Sequence, residues 1–256
     1  MNPTTQKAFE IEEERNILAK RNQLEKLKKT YQKNIATIPN LNTGVMWDRL
    51  NRKRITKTNN PMAHDRITKI ISYINGLNLK ILDLGFGQGA VEERLNELGV
   101  CTELLGFDLS GESVARMSRR FKHWKFAKGN VLSAIIPLNR YDYVLALELL
   151  EHIQPYNVFE VLKKIIKSLK PKGNLIVSVP INEGLKALVS NGLNPNAHVR
   201  TYTPALITSE LKIAGFEIVR TELLYAFSNL YKIKSIIARF SGIREPNNVI
   251  VLARKP

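Results

Sequence analysis

Three glycines at alternate positions follow a short apolar run in this 256-residue chain. Gly85, Gly87 and Gly89 interrupt the segment ILDLGFGQGAVEERL at residues 81–95, which begins with strand-like apolar residues and ends with helical spacing. Glycine reaches positive φ without steric cost and lets a ligand lie against the backbone. The pattern therefore predicts a strand, a tight turn that holds a ligand, and the start of a helix.

Acidic side chains at two strand ends add chemistry to this turn. Asp83 lies two residues before the first glycine, where its carboxylate can meet an ammonium group, and the helix start offers N–H groups to a carboxylate. Asp108 ends the next predicted strand, where it can accept hydrogen bonds from two vicinal ribose hydroxyls. A zwitterionic amino-acid group fits the first position and a ribose fits the second. The glycine spacing alone also fits a relaxed dinucleotide fingerprint, so NAD is the competing ligand.

A second group of candidate residues follows the strongly apolar strand predicted for residues 141–147. Glu148 ends this strand, Glu151 and His152 follow within one turn, and His198 lies in the loop beyond the next strand. Because open parallel sheets bind ligands beyond the carboxyl ends of their strands, these groups can converge. Carboxylate and imidazole groups that converge can bind a divalent cation.

Structural roles compete with this interpretation. Glu151 can cap the following helix, and His152 can hydrogen-bond to the backbone. If no metal binds, His152 or His198 is a candidate general base. Together with His198, we expect Arg200 and Tyr202 near the substrate edge, with a surface charge as the alternative for Arg200.

Strand and helix patterns alternate after residue 80, which predicts an α/β fold. We expect a Rossmann-like seven-stranded, mostly parallel sheet with an antiparallel last strand and helices on both faces. The antiparallel strand is inferred because residues 216–224 and 248–253 form two closing strands without an ordinary crossover helix. Residues 61–256 make up the predicted main domain. Residues 1–60 are predicted to be a basic helical extension or lid, with a long helix across residues 3–38 and a short helix around Trp47.

Over residues 80–254 these motifs resemble the class I S-adenosylmethionine (SAM)-dependent methyltransferases. The DLGFGQG run at residues 83–89 matches the acidic residue and xGxGxG of the family's first motif. The run GNV at residues 129–131 stands where the family contacts adenine, with Asn in place of the more frequent Asp, and Asn130 is alternatively a turn residue. The resemblance implies cofactor contacts through Asp83, Gly85, Phe86, Gly87, Gly89, Asp108, Leu109, Asn130, Val131 and Leu147.

The run ELLEH at residues 148–152, with a later histidine, resembles two groups of methyltransferases. These are the ubiquinone-biosynthesis O-methyltransferases and the small-RNA terminal 2′-O-methyltransferases. The likeness implies a site for Mg or another divalent metal on Glu148, Glu151, His152 and His198. The candidate catalytic residues are His152 and His198, as general bases if no metal binds. The expected reaction is O-methylation of a small hydroxylated metabolite, quinone precursor or sugar. An RNA 2′-O-methyltransferase and a non-catalytic SAM-binding scaffold are the alternatives.

Charge and composition bear on partners and compartment. The net charge of +16 is spread over several segments, which fits either a polyanionic partner such as RNA or solvated basic faces. Residues 225–240 have a basic amphipathic pattern, for which packing on the domain is favoured over contact with an anionic membrane.

The one cysteine excludes a disulfide framework and indicates a reducing compartment. Without a signal-peptide or membrane-spanning pattern, a cytoplasmic protein is expected.

Overall fold

The computed structural model describes residues 19–27, 38, 40–53 and 60–256. One sheet contains seven strands, which in chain order are β1 (Leu79–Leu84), β2 (Cys101–Asp108), β3 (Lys125–Lys128), β4 (Tyr141–Leu147), β5 (Leu169–Pro180), β6 (Glu217–Leu224) and β7 (Asn248–Arg254). Their order across the sheet is β3-β2-β1-β4-β5-β7-β6. β7 runs antiparallel to both of its neighbours, and the other neighbouring pairs are parallel. The predicted fold is confirmed.

Helices cover both faces of this sheet. They are α1 (Gly44–Lys53), α2 (Pro61–Tyr73), α3 (Ala90–Leu98), α4 (Gly111–Arg120), α5 (Pro155–Ser168), α6 (Leu185–Ser190), α7 (Pro204–Ile213) and α8 (Tyr231–Ser241), with a 3₁₀ turn at Leu150–His152. The sequence pattern predicts helices over residues 90–98, 112–121, 156–169 and 204–214, and the bounds of α3, α4, α5 and α7 agree with these to within one residue at each end. The short helix α6 was not predicted, because its six residues carry too little periodicity to detect.

β1 illustrates how the sheet is buried on both faces. Leu82 and Leu84 pack into one apolar cluster with residues of α5 and α7. Ile81 packs into the cluster on the opposite face, with residues of α2 and α3. Because successive side chains of a strand point to opposite faces, a strand covered on both sides is apolar at most positions. The buried exception near the end of β1 is Asp83, two residues before the glycine turn.

Two element ends differ from what the sequence pattern predicts. Pro61 and Gly76 predict a helix that ends at a glycine cap, but α2 ends at Tyr73, and Ile74 is extended and only 9% exposed. Burial of Ile74 in the core thus takes the chain out of the helix before the glycine. The apolar run after Gly173 predicts a strand from Asn174, but β5 begins at Leu169 and runs through Pro171 and Gly173.

The amino-terminal region is described in part. Residues 19–27 are helical, whereas most of the long helix predicted for residues 3–38 lies outside the described residues. Helix α1 is attached to the beginning of α4. The Ser110 hydroxyl donates to Asp48 at 2.6 Å, and the Asn51 amide donates to the Ser113 hydroxyl at 2.9 Å. These bonds fix α1 beside the glycine turn, within the region that the sequence assigned to a lid.

Buried polar contacts hold the segment between β5 and α7. Tyr202 donates to Glu210 at 2.9 Å, and Arg200 forms an ion pair with the same carboxylate. All three residues are buried, so Arg200 is not a surface charge, and neither Arg200 nor Tyr202 lines the cavity described below. Their role is to anchor the segment that carries His198. Within the described part of the chain, no helix combines the length and apolarity needed to cross a bilayer.

Candidate functional site

The glycine turn between β1 and α3 adopts the backbone conformation that its sequence predicts. Gly85, Gly87 and Gly89 have φ values of 81°, 55° and 82°, in the left-handed region that favours glycine. A Cβ atom on Gly87 would meet nothing beyond its chain neighbours closer than 3.9 Å, so the space above it is open. The Gly85 N–H donates to the Phe107 carbonyl at 2.7 Å. The turn is therefore bare backbone, fixed against the neighbouring strand.

Asp108 is fixed at the end of β2 by backbone donors. One of its carboxylate oxygens accepts from the Gly87 N–H at 2.8 Å, and the other accepts from the Ser110 N–H at 2.7 Å. Burial raises the pKa of Asp108 above its ordinary value, against the lowering effect of these two hydrogen bonds. A carboxylate oxygen can accept more than one hydrogen bond. Asp108 lines the cavity, so both oxygens can still accept from ribose hydroxyls.

A cavity of about 680 Å³ lies over the turn, within the size range of small-molecule and cofactor sites. Gly89, the third glycine of the turn, does not line the cavity. A Cβ atom at this position would lie 2.2 Å from the Met117 methyl carbon, so this glycine allows α3 to pack closely on α4. The predicted cofactor residues that do line the cavity are Asp83, Gly85, Phe86, Gly87, Asp108, Leu109, Asn130, Val131 and Leu147.

Asp83 shares the cavity floor with a second buried carboxyl group, Glu92 of α3. Their side chains are 2% and 1% exposed and interact with each other. Among the described residues no group outside this pair donates to Asp83 Oδ1 or to either Glu92 oxygen. Burial raises the pKa of Asp83 to about 7, and burial together with the charge of Asp83 raises the pKa of Glu92 well above its ordinary value. Such a pair suits a positively charged ligand.

Asn130 combines the two roles that the sequence left open. Its side-chain oxygen accepts from the Leu132 N–H at 2.9 Å, which is the local bond of a turn. The residue is exposed and lines the cavity beside the buried Val131. Its amide can therefore meet an adenine edge while it stabilises the turn.

Glu148, at the end of β4, belongs to a hydrogen-bonded network. It has a φ of 52°, which is an unfavourable conformation for a residue with a side chain. One carboxylate oxygen accepts from Ser178 at 2.8 Å and from Asn248 at 2.9 Å, and the other pairs with Arg66 at 2.7 Å. Burial alone would raise the pKa of Glu148, but Arg66 and these hydrogen bonds hold it below its ordinary value.

The structure brings Glu151, His152 and His198 together in the same cavity. One ligand atom from each lies within 4.8 Å of those of the other two. Glu151 is 1% exposed, and neither of its oxygens has a hydrogen-bond partner on another described residue. Burial and the nearby charge of Glu148 raise the pKa of Glu151 well above its ordinary value. Glu148, expected as the fourth member, is instead engaged in the network with Arg66.

Neighbouring groups orient the two histidines. His198 Nδ1 lies 2.8 Å from a Glu183 oxygen, which selects Nε2 as the atom that can accept a proton. The His152 ring packs edge-on against Trp47, with ring centres 4.9 Å apart, and against His198 at 4.8 Å. The Val199 N–H donates to the Glu151 carbonyl at 3.0 Å, which joins the two segments that carry the cluster.

Several cavity residues were missed by sequence reasoning. Glu92 gave a detectable signal, because it stands one turn before the buried Leu95 on the apolar face of α3. Glu183 and Arg66 gave no such signal, because in the sequence a carboxylate in a loop and a cation in a helix cannot be distinguished from ordinary solvent-exposed charges. Helix α1 was placed near Trp47, but its part in the cavity was not inferred.

A family model described as a methyltransferase domain matches residues 47–221, more than half of the chain. A ubiquinone biosynthesis O-methyltransferase from Bradyrhizobium diazoefficiens is 32% identical over 117 residues, which cover 44% of this chain and 44% of that protein. The chain thus matches less than half the length of that relative.

Solved structures support the fold. A SAM-dependent methyltransferase from Archaeoglobus fulgidus has a TM-score of 0.62 at 18% identity, covering 81% of this chain and 99% of that one. The N-methyltransferase NodS from Bradyrhizobium japonicum WM9, in complex with S-adenosyl-L-homocysteine, has a TM-score of 0.61 at 16% identity, covering 82% and 98%. At these identities the likeness shows the fold alone.

The carboxyl pair predicts a pH dependence of SAM binding. A cationic ligand favours ionised Asp83, so binding displaces the proton held at a pKa of about 7, and affinity rises with pH. We expect the association constant, measured by calorimetry, to rise about fourfold from pH 6.0 to pH 6.8, below the range where the cofactor's own amine, with an ordinary pKa of about 7.7–8.0, loses its charge. Asp83→Asn should weaken binding and remove this slope.

Glu93→Gln is the matched control, because Glu93 is the next residue on α3 and its carboxylate pairs with Arg120. It should keep the wild-type slope. An affinity that is the same at both pH values in the wild-type protein, or a slope that survives in Asp83→Asn, would contradict this role of the pair.

Proposed function

The chain belongs to the class I SAM-dependent methyltransferases, and we propose that it transfers the methyl group to a hydroxyl oxygen of a small acceptor. A quinone precursor, another phenol or a sugar has the required hydroxyl. The observation that carries this proposal is that His152 and His198 line the same cavity as the glycine turn and Asp108. The relative from Bradyrhizobium diazoefficiens, named as an O-methyltransferase, supports the same choice of acceptor atom.

The residues have separate tasks in this reaction. Asp108 and the glycine turn hold the nucleoside, and the Asp83–Glu92 pair faces the ammonium group. The acceptor oxygen attacks the methyl carbon, the bond to the sulfonium sulfur breaks, and SAM leaves as its neutral thioether. The hydroxyl proton passes to a histidine. His198 is the better candidate base, because Glu183 holds its Nδ1 and stabilises the imidazolium that forms.

Positioning supplies much of the rate enhancement. The sulfonium is already an activated methyl donor, so the protein has to hold the acceptor oxygen in line with the methyl carbon. Trp47 of α1 and residues Met62, Arg66 and Ile67 of α2 also line the cavity. They supply an apolar wall with one cation against which the acceptor can be held.

We also propose that Glu151, His152 and His198 hold a divalent metal. Two imidazoles and one carboxylate form a donor set that suits such ions, and the buried Glu151 oxygens have no partner among the described residues. When bound, the cation would lower the pKa of the acceptor hydroxyl and fix its oxygen. When no metal is bound, a histidine alone accepts the hydroxyl proton.

The histidines provide the test of the proposed activity. With labelled SAM and a panel of phenols, catechols and sugars, we expect the wild-type protein to methylate at least one acceptor on oxygen. His198→Ala and His152→Ala should lower kcat about 100-fold or more with SAM affinity unchanged, because each removes a group that takes or directs the proton. His123→Ala, at an exposed histidine outside the cavity, is the control. Transfer to RNA and to none of the small acceptors, or activity that persists in both variants, would overturn the proposal.

The metal is tested by its content in dialysed protein. The wild-type protein should retain a divalent ion, and Glu151→Gln should weaken retention about tenfold or more, because a direct ligand is lost. Glu148→Gln is the matched variant: its carboxylate is occupied by Arg66, Ser178 and Asn248, so metal content should stay near that of the wild-type protein. Equal loss in both variants, or no bound ion in the wild-type protein, would rule out this metal site.

A further inference from the structure

Helix α8 presents its apolar side chains outward, away from the domain. Ile233, Ile236, Ile237 and Phe240 recur at the spacing of one helical face, and each is more than half exposed. Leu230 and Ile243, which flank the helix, are also more than half exposed. Such a concentration of large apolar side chains in fifteen consecutive residues, 230–244, is unusual for the surface of a protein in water.

Contacts on the opposite face fix this orientation. Ala238 is buried, the Tyr231 hydroxyl donates to Asp65 of α2 at 3.0 Å, and Arg239 donates to Glu222 of β6 at 3.0 Å. Burial and this hydrogen bond raise the pKa of Tyr231 above its ordinary range, so the donor keeps its proton at neutral pH. The helix is therefore attached through its polar and small side chains. Among the described residues, its apolar face has no cover.

The charges around the apolar face indicate what covers it. Residues 230–244 carry Lys232, Lys234, Arg239 and Arg244 and no acidic residue. Lys232 and Arg244 are exposed beside the apolar stripe, and the Arg244 guanidinium lies 4.8 Å from the centre of the Phe227 ring. An apolar stripe bordered by cations is the pattern of a helix that lies in the interface of an anionic bilayer.

We propose that α8, with Leu230 and Ile243, attaches the protein to the surface of an anionic lipid bilayer. The helix has eleven residues, far fewer than the ~20 that span a membrane, so it would lie in the plane of the surface. Apolar side chains alone would equally suit a protein partner. Lys232, Lys234 and Arg244 favour lipid, because anionic headgroups attract these cations, whereas Arg239 is paired with Glu222 on the attached face.

The position of α8 relates this surface to the cavity. Tyr231 packs on α2 through Asp65, and the neighbouring α2 residue Arg66 lines the cavity. Ala226, between β6 and α8, lines it as well. A protein bound through α8 would therefore hold its cavity close to the lipid surface. This attachment does not depend on which acceptor the cavity takes.

Vesicle flotation tests the proposal on the full chain. At low salt, about 50 mM, the wild-type protein should float with vesicles of phosphatidylcholine containing about one third phosphatidylglycerol, and much less with phosphatidylcholine alone. Ile236→Ser/Phe240→Ser should reduce the bound fraction about tenfold or more, because two side chains that enter the interface become polar. Both positions are exposed, so the variant should keep the wild-type melting temperature. Ile135→Ser/Leu138→Ser is the control, with two exposed apolar residues removed elsewhere.

Several results would overturn the proposal. They are no flotation of the wild-type protein with anionic vesicles, equal flotation of the two double variants, and flotation that does not depend on the anionic lipid. A dimer in light scattering that Ile236→Ser/Phe240→Ser converts to a monomer would identify a second copy of the chain as the occupant. Cross-links from Lys232 to residues 1–18, without flotation, would identify the chain's own amino-terminal segment.

Discussion

The hydrogen bond from the Gly87 N–H to the Asp108 carboxylate joins the two parts of the cofactor site. It exists because β1 and β2 pair in parallel, with Asp83 opposite Gly106 and Leu84 opposite Phe107, so the glycine turn and Asp108 emerge at the same sheet edge. A side chain at Gly87 would occupy the open space above the turn, and its left-handed φ would be strained. The bare backbone and the oriented carboxylate therefore depend on each other.

The cavity also contains buried carboxyl oxygens to which no other described residue donates a hydrogen bond. Asp83, Glu92 and Glu151 each have an oxygen in this condition among the described residues. A buried polar group without a partner typically costs about 1–3 kcal/mol, so their arrangement reduces the stability of the ligand-free protein. A cofactor with an ammonium and a sulfonium group, and a divalent cation beside the histidines, would offset that cost. The raised pKa values of these groups have the same origin as their affinity for cations.

Sequence reasoning succeeded where the signal is local. The apolar run at residues 141–147 predicted both ends of β4 correctly, and the alternating glycines predicted the turn. Both patterns depend only on residues that are neighbours in the chain. It failed where distant segments meet. The contact of His198 with Glu183 joins the segments before and after α6, and the ion pair of Glu148 with Arg66 joins the end of β4 to α2. No periodicity encodes such contacts.

Helix α8 shows a third situation. Its sequence established that one face is apolar and that cations border it, but periodicity does not say which face meets the domain. Packing on the domain was the favoured interpretation, and the structure instead turns Ala238 inward and Phe240 outward. The orientation of the helix is fixed by Asp65 and Glu222, which accept hydrogen bonds from residues on the opposite face.

The most direct test of the cofactor site is a structure of the protein in complex with S-adenosyl-L-homocysteine. The predicted result has both ribose hydroxyls within hydrogen-bond distance of the Asp108 carboxylate, the backbone of Gly85 to Gly87 against the ligand, and the ammonium group nearest Asp83. A ligand bound elsewhere, or a ribose turned away from Asp108, would contradict the account.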